Sequence, residues 1–577
     1  MTNILDKYSA LVYTLVIMII KNCKSCEKEF EIRDADLTFY EQVKTAPPLY
    51  CPDCRMARRL VFRNERTFYK RPCGLCEKDF ISVYAPESPY NVYCYECWWS
   101  DNWDPKSFGK NYDLNKSFFE QFNDLVKETP RLGIMIHNNV RSDYTNGSAE
   151  NKDCYLIFAA DYNEDCLYGR LLQRNKGCVD CAFLHESELC YETIDSRKCF
   201  KCMYSEQCQE SSDLLFCYNM RNSNNCIFCT NGRNVSNAIF NVKYSKEEYE
   251  KKKAEIFSSY ENIEQAKKEF EELKKETVRK FACQTKCHDV SGDYLHNCHQ
   301  GVMLYDTYDA KNCSYMTDSE NPTDSMDCNN YYYKCEFNYN IMGAMQLSRS
   351  KNCVFVFYST DLDYCDNCYN LTNSFGCTAI RKGNNMILNK EYSKEEYLKL
   401  KEQIENQLKQ DGTWGQYFSP DISPFGYNET LAHDLFPLTK EEALKRGFSW
   451  QEKTTGTYGK ETIKKGEVPN SIENVDDNFL NEILVCEECD KNFRITKMEL
   501  DFYKRMNIPL PHKDFECRHR ARMAKRNPRK LYPRSCMCEL KNHIHGENHC
   551  DVKFETSYSP DRKEIVYCES CYQQEVS

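Results

Sequence analysis

The chain has 577 residues, 37 of them cysteine, and a net charge of −11. That length excludes a small disulfide-knotted module, and the charge excludes a uniformly basic nucleic-acid coat protein. With 41% hydrophobic residues and only 20 glycines, a collagen-like or wholly disordered chain is excluded too. Length suggests roughly three or four domains, and 41 tyrosines with 31 phenylalanines supply large apolar surface for their cores.

Residues 10–20 form an apolar run of eleven, too short for a bilayer, which needs about 20. No small-residue cleavage site follows it, and Lys21 and Asn22 spoil a lipoprotein box at Cys23. Residues 1–18 therefore read as an apolar leader or as a start placed too early, with Met18 the better start. A cytoplasmic location without a membrane span follows, where clustered cysteines mean metal more often than disulfide.

The cysteines fall into groups of eight, twenty-one and eight, at 23–97, 154–377 and 486–571. The first group is four CxxC pairs: Cys23/Cys26, Cys51/Cys54, Cys73/Cys76 and Cys94/Cys97. A two-residue gap lets a tight knuckle aim both sulfurs at one ion, and two knuckles complete the closed tetrahedron of structural zinc. Sequential pairing predicts a double ribbon over residues 19–110.

Cys23-Lys-Ser-Cys26-Glu-Lys-Glu-Phe30, then Phe39-Tyr40, Pro47-Pro48 and Cys51-Pro-Asp-Cys54-Arg55 with Arg58-Arg59, resembles the probable zinc-ribbon domain family. That family has no assigned reaction. The whole layout is similar to uncharacterised multi-ribbon, Cys-rich proteins of uncultured small-genome bacteria.

Between the outer groups, Cys154, Cys166, Cys178 and Cys190 recur every 12 residues, each opening a short β-prone piece. Two such units would make a coil of about 24 residues in a parallel β-helix. Strand alternation sends i and i+3 to opposite faces, so the CxxC pairs here (Cys178/Cys181, Cys199/Cys202, Cys226/Cys229, Cys365/Cys368) read less well as ligands. An interior ladder of packed thiols is the expectation, with metal or disulfide as alternatives. The best extra metal cluster is Cys283, Cys287, His288, His296, Cys298 and His299.

Two runs close alike, at Asn237–Asn241 before Tyr244-Ser-Lys-Glu-Glu-Tyr249 and at Asn385–Asn389 before Tyr392-Ser-Lys-Glu-Glu-Tyr397. Ser245 with Glu248 and Ser393 with Glu396 are capping boxes opening helices, the first running on to about residue 280. The predicted units are 111–280 and 281–410, each a Cys-rich β-solenoid repeat plus helix. Residues 411–485 form an aromatic, turn-rich connector in which Thr439 and Glu442 cap a short helix.

Residues 486–577 repeat the first group as a second double ribbon. Cys486, Cys489, Cys517, Cys536, Cys550, Cys568 and Cys571 match the first copy. Asp514 stands where Cys51 would be. His512 is taken as the fourth ligand, with Asp514 and His519 as rivals. Cys538 and His543, His545 and His549 are surplus, read as solvent-exposed rather than as a further metal site. About four zinc ions are expected.

The fold class is thus mainly β: tandem zinc ribbons flanking a duplicated Cys-rich β-solenoid with short capping helices. Beside the knuckles lie Arg55, Arg58, Arg59, Arg63, Arg66, Lys70 and Arg71, interleaved with Phe62, Phe68 and Tyr69. The second copy has Arg518, Arg520, Arg522, Lys525, Arg526, Arg529, Lys530 and Arg534. Such cations release counterions on binding phosphates, and nearby aromatics stack on bases. The expected function is therefore non-enzymatic nucleic-acid binding through these segments. The bland reading of these charges is that the arginines neutralise zinc-thiolate charge or pair with the acidic solenoid. The competing function is a protein-interaction or self-assembly scaffold, its end ribbons terminating or oligomerising a solenoid whose faces bind another macromolecule. A carbohydrate-active β-helix enzyme is a third reading, although no catalytic motif stands out.

Overall fold

The computed structural model describes residues 19–329, 338–358, 360–453 and 455–576. Residues 1–18, Met18 among them, lie outside these residues; Ile19 and Ile20, the end of the apolar run, open the first strand, Ile19–Asn22. Strand accounts for 29% and helix for 25%, spread over many small sheets.

Each terminal segment is built from short antiparallel hairpins followed by helices. Ile19–Asn22 pairs with Glu29–Ile32, and Tyr69–Pro72 pairs with Asp79–Ser82. In the C-terminal copy Leu484–Val485 pairs with Asn492–Phe493, and Tyr532–Ser535 pairs with Lys553–Thr556. The second half of each CxxC set sits at a helix start: Pro52–Leu60, Tyr95–Trp99, Phe515–Ala524 and Glu569–Val576.

From Ile136 to Ile239 the strands are parallel, and each pairs with the strand twelve residues on: Tyr155 with Leu167, Arg170 with Ala182, Ser212 with Asn224. Parallel bridges such as Glu188 to Phe200 continue the series between the longer strands. The same spacing holds from His299 through Lys382–Ile387 (for example Tyr305 with Thr317 and Thr360 with Thr372), with one thirteen-residue step from Cys328 to Ile341. Partners therefore lie twelve residues apart, not the 24 expected from pairing two units.

The backbone explains the spacing. Across 138–240 every third residue has positive φ, as at Asp180, Phe183, Glu186 and Leu189, and Gly147 and Gly177 fall in the same series. A left-handed residue reverses the strand's side-chain alternation, so i and i+3 face the same way. The buried set Cys154, Ile157, Ala160 and later Cys178, Cys181, Leu184 follows this period of three. Cys178 and Cys181 are therefore both interior, which corrects the expectation that alternation separates them. Asn and Asp tolerate this conformation best, and Asn219, Asn222, Asn225, Asn231, Asn234 and Asn237 occupy it.

Buried side chains serve the stacked backbone. Asn163 accepts from the N–H of Asn175, and Asn151 accepts from that of Asn163, at 2.9 and 3.0 Å. Ser187, Ser211 and Ser223 continue the ladder by accepting from residues twelve positions on. Interior thiols donate to carbonyls, as Cys154 does to Lys152 at 3.3 Å. The described cysteines are free thiols, and those from Cys154 to Cys229 are all buried.

Both parallel runs end in a short antiparallel return, Val242–Lys243 and Lys390–Glu391. The capping boxes Ser245/Glu248 and Ser393/Glu396 then start the helices Lys246–Phe257 and Lys394–Gln410. The first helix does not run on: Ser259 caps a separate one, Tyr260–Glu276. In the connector, Thr439 and Glu442 box the helix Lys440–Lys445. Trp414, Phe418, Phe425 and Tyr427 pack into a core shared with Met56, Leu60 and Phe62 of the N-terminal segment and Val354, Tyr364 and Phe375 of the second parallel run. The C-terminal segment packs on the first run, through Leu500, Phe502 and Tyr503 against Tyr191, Met203 and Tyr204.

Candidate metal centres

Among the described residues, five groups of side chains bring four ligand atoms within 4.8 Å of one another. Two are N-terminal: Cys23, Cys26, Cys51 and Cys54, then Cys73, Cys76, Cys94 and Cys97. Pairing is sequential, as the spacing predicts.

Local backbone geometry makes each knuckle. Cys23 donates its N–H to Lys28 and accepts from Glu27, both at 2.9 Å, and Glu27 takes φ 62°. The same turn recurs at Cys73, with Glu77 at φ 60°, and at Cys486, with Asp490 at φ 63°. The opposing knuckle is a helix N-cap. Cys51 caps Pro52–Leu60 and Cys94 caps Tyr95–Trp99, each with ψ near 160°. The free N–H groups of a helix start favour negative sulfur.

Burial pushes the Cys23 thiol up, but backbone N–H groups of Cys51, Cys26 and Ser25 bring it down to about 7. Cys73 behaves alike, lowered to about 7 against burial by the N–H groups of Cys76, Cys94 and Leu75. Cys94 N donates to Cys73 Sγ at 3.3 Å, and Cys568 N donates to Cys536 Sγ at 3.2 Å.

The sulfur separations decide between a bond and a shared ion. Cys26 to Cys51 is 3.7 Å and Cys550 to Cys568 is 3.9 Å, far beyond a disulfide's ~2.05 Å. A tetrahedral ion with bonds of about 2.3 Å places its sulfurs about 3.8 Å apart. The donor sets therefore fit such an ion.

The third group is Cys486, Cys489, Asp514 and Cys517. Asp514, not His512, completes it, and the choice of His512 is corrected. Asp514 N-caps Phe515–Ala524 with φ −63° and ψ 165°, the backbone of Cys51, and its carboxylate lies 2.8 Å from Cys489 Sγ. Ligand position follows the helix cap, so the carboxylate inherits the sulfur's place. His512 instead stacks on Tyr260 at 3.5 Å and sets Nδ1 3.0 Å from Glu487. His519 is buried at the helix's next turn, outside the group.

Cys536, Cys550, Cys568 and Cys571 form the fourth group, as expected. The fifth joins Cys538, His543 and His545 to the same Cys571. Cys538 is fully buried, which corrects its reading as solvent-exposed surplus; His549 stays exposed outside the group. Among the described residues the Cys283–His299 cluster does not form. Cys298 points into the interior with Leu295 and Leu304, while His288 and His299 are exposed.

The arginines beside the knuckles have carboxylate partners. Arg55 and Arg59 both reach Asp327, at 2.8 and 3.2 Å. Arg518 and Arg522 both reach Asp180, at 3.3 and 2.7 Å. Arg63 pairs with Glu65 at 2.6 Å, and Arg66 with Asp434 at 2.8 Å. Arg526 pairs with Asp195 at 3.0 Å and also with Asp306, while Arg529 pairs with Asp306 at 2.8 Å and Asp318 at 2.5 Å. Aromatic rings complete the wrapping: Arg526 lies 3.5 Å from the Phe183 centroid and 4.0 Å from that of Tyr294.

Seven of the eleven residues assigned to nucleic acid (Arg55, Arg59, Arg63, Arg518, Arg522, Arg526 and Arg529) are thus enclosed and paired inside the chain. Arg58 lies over Tyr50 and donates to Phe418 O at 3.3 Å. Arg520 donates to Cys517 Sγ at 2.9 Å, Lys525 lies 3.7 Å from Glu206, and Lys530 is exposed over Tyr532. Sequence reasoning raised pairing with the acidic middle but named none of the carboxylates. Their signal was the same twelve-residue step, since Asp180 and Glu192 lie twelve apart, as do Asp306 and Asp318.

No family model matches the chain, and no curated protein does. The zinc-ribbon resemblance rests on the motif residues themselves. Among the described residues, no helix is long and apolar enough to cross a membrane.

Proposed function

We propose that this protein is a non-enzymatic scaffold in which two zinc-bearing double ribbons clamp a duplicated, Cys-rich β-solenoid and hold it ready for a macromolecular partner or for further copies of itself. One observation carries the reading: at equivalent places in the two ribbon copies, an i, i+4 arginine pair grips a single buried aspartate, Arg55 and Arg59 on Asp327, Arg518 and Arg522 on Asp180. Arginines committed to the chain's own carboxylates are docking groups, and enclosing them needs precise partners because a buried unpaired charge is costly.

Zinc is the metal best suited to the sites. Four-thiolate sites and a three-thiolate, one-carboxylate site are closed tetrahedra with no position for substrate or water. The twelve-residue parallel register, with buried thiols and Asn and Ser side chains inside, supports the solenoid.

Nucleic-acid binding through the same segments now has few cations to draw on. Phe62 is packed against Tyr417 and Phe418, and Tyr69 donates to Glu429 at 2.5 Å, so neither is a free stacking platform. Purified full-length protein is expected to carry bound zinc and to show no salt-dependent retention of RNA or DNA. Retention that weakens steeply with salt and disappears in the Arg520→Glu, Lys530→Glu double variant would return the nucleic-acid reading to first place.

A further inference from the structure

The C-terminal hairpin differs from its N-terminal counterpart in one respect. Three positions separate Cys73 from Cys76, but fourteen separate Cys536 from Cys550. The added loop carries His543 and His545 and folds back over Cys538 and Cys571. We propose that this end of the molecule holds a binuclear zinc centre: one ion in Cys536, Cys550, Cys568 and Cys571, a second in Cys538, His543 and His545, with the Cys571 thiolate bridging the two. The proposal rests on the reading that the terminal ribbons bind zinc.

Geometry supports the second ion. His543 Nδ1 lies 3.2 Å and His545 Nε2 3.3 Å from Cys538 Sγ, and Cys571 completes a set within 4.8 Å. Two nitrogens and two sulfurs are a standard zinc donor set. Each imidazole also has a polar group behind it, in hydrogen-bond contact for His545. The far nitrogen of His545, Nδ1, is 2.6 Å from the carbonyl of Asn548. The far nitrogen of His543, Nε2, faces Glu575 at 3.7 Å. An outer acceptor on the far nitrogen fixes the tautomer that aims a lone pair at the metal. Here it does so for His545, and the two rings turn opposite nitrogens, Nδ1 of His543 and Nε2 of His545, toward Cys538.

The loop's other contacts serve the same placement. Gln574, three residues after Cys571, accepts from Ile544 N at 2.9 Å and donates to Asn542 O at 3.2 Å. Asn542 and Gly546 take the left-handed conformation, at φ 64° and 74°, which reverses the loop on either side of the two histidines. Charge favours sharing as well. An isolated zinc with four thiolates carries about −2, whereas two zinc ions on five thiolates and two neutral imidazoles carry about −1. This lowers the cost of burying the site, where all five sulfurs are enclosed.

The test counts metal in full-length protein by elemental analysis and native mass spectrometry. The wild type should bind five zinc ions, matching the five donor groups, and the His543→Ala, His545→Ala double variant four. The conservative Cys538→Ser variant should also lose one ion, and retention of the other four reports that each variant is folded. Cobalt-loaded wild type should show a magnetic moment per ion reduced by coupling through the bridge, and the double variant should not. Four ions in the wild type, five in the double variant, or equal moments in both would overturn the proposal. Three or fewer in the wild type would overturn the zinc-clamp reading as well.

Discussion

Replacing Asp180 by alanine should undock the C-terminal knuckle helix while leaving its N-terminal equivalent in place. Two guanidiniums face Asp180, Arg522 at 2.7 Å and Arg518 at 3.3 Å, and both arginine side chains are less than a tenth exposed. Removing one member of a buried pair costs about 3–5 kcal/mol, because the partner is left charged and unpaired. Arg518 keeps Glu499 at 3.3 Å, and Arg522 keeps Glu192 at 3.5 Å and the Tyr168 carbonyl at 3.2 Å. The lower end applies, about 3 kcal/mol, which is roughly two powers of ten in the docked-to-undocked ratio. A melting temperature is a poor readout for a chain of this size, where unfolding is not two-state. Amide hydrogen exchange on the full-length protein resolves the seam directly. Exchange in Phe515–Ala524 should speed up by about that factor, with Pro52–Leu60, gripped by Asp327, unchanged. Unaltered protection at 515–524, or equal loss in both helices, would refute the clamp.

Three further outcomes follow from the sites. Asp514→Ala should remove one zinc per chain by elemental analysis, whereas His512→Ala should leave the count unchanged, since only the aspartate occupies the helix-cap position. Burial alone would raise the Glu65 carboxyl, but Arg170 and Arg63 pull it down to about 2. A depressed acid stabilises the fold above its unfolded value near 4.5 and loses that contribution as pH falls from there toward 2. Amide protection around Glu65, corrected for the intrinsic pH dependence of exchange, should therefore fall faster in the wild type than in Glu65→Gln across that window, and parallel pH profiles would contradict the pairing. Cys190→Ala in the interior of the first parallel run should cost only about 1 kcal/mol of packing and leave the metal count intact; loss of an ion would show that interior thiols ligate metal.

Much of the metal chemistry is legible because ligand spacing is local. A CxxC pair with its left-handed turn residue is a few residues long, so four sites could be paired from sequence. The one misplaced ligand shows where that reading fails. His512 is the better donor by type, but Asp514 holds the position, and the helix N-cap rather than side-chain chemistry decides which atom joins the donor group. The middle of the chain was half legible. Cysteine recurring every 12 residues is the strand register itself. The period of three beneath it was hidden, because non-glycine residues rarely repeat a positive φ and ordinary alternation would have separated Cys178 from Cys181. Pairing of the arginines with the acidic middle was legible as one reading, but not which carboxylates they meet. Arg522 and Asp180 lie more than three hundred residues apart, so the basic segments stood out without the carboxylates that satisfy them.

The two ribbons dock crosswise, and this ties the metal to the whole chain. Arg55 and Arg59 at the N-terminal end grip Asp327 in the second parallel run, and Arg518 and Arg522 at the C-terminal end grip Asp180 in the first. The stretch after the C-terminal helix then spans both runs, with Arg526 between Asp195 and Asp306 and Arg529 between Asp306 and Asp318. Each grip involves a helix whose first turn carries candidate metal ligands, Cys51 and Cys54 at one end and Asp514 and Cys517 at the other. Metal binding free energy is folding free energy in such sites. If the ends hold zinc as proposed, losing an ion at one end should loosen the grip on the parallel run that lies nearer the other end in sequence. That expectation follows from a pairing pattern in which closely similar arginine helices, one per terminus, each reach across to an aspartate of the more distant half.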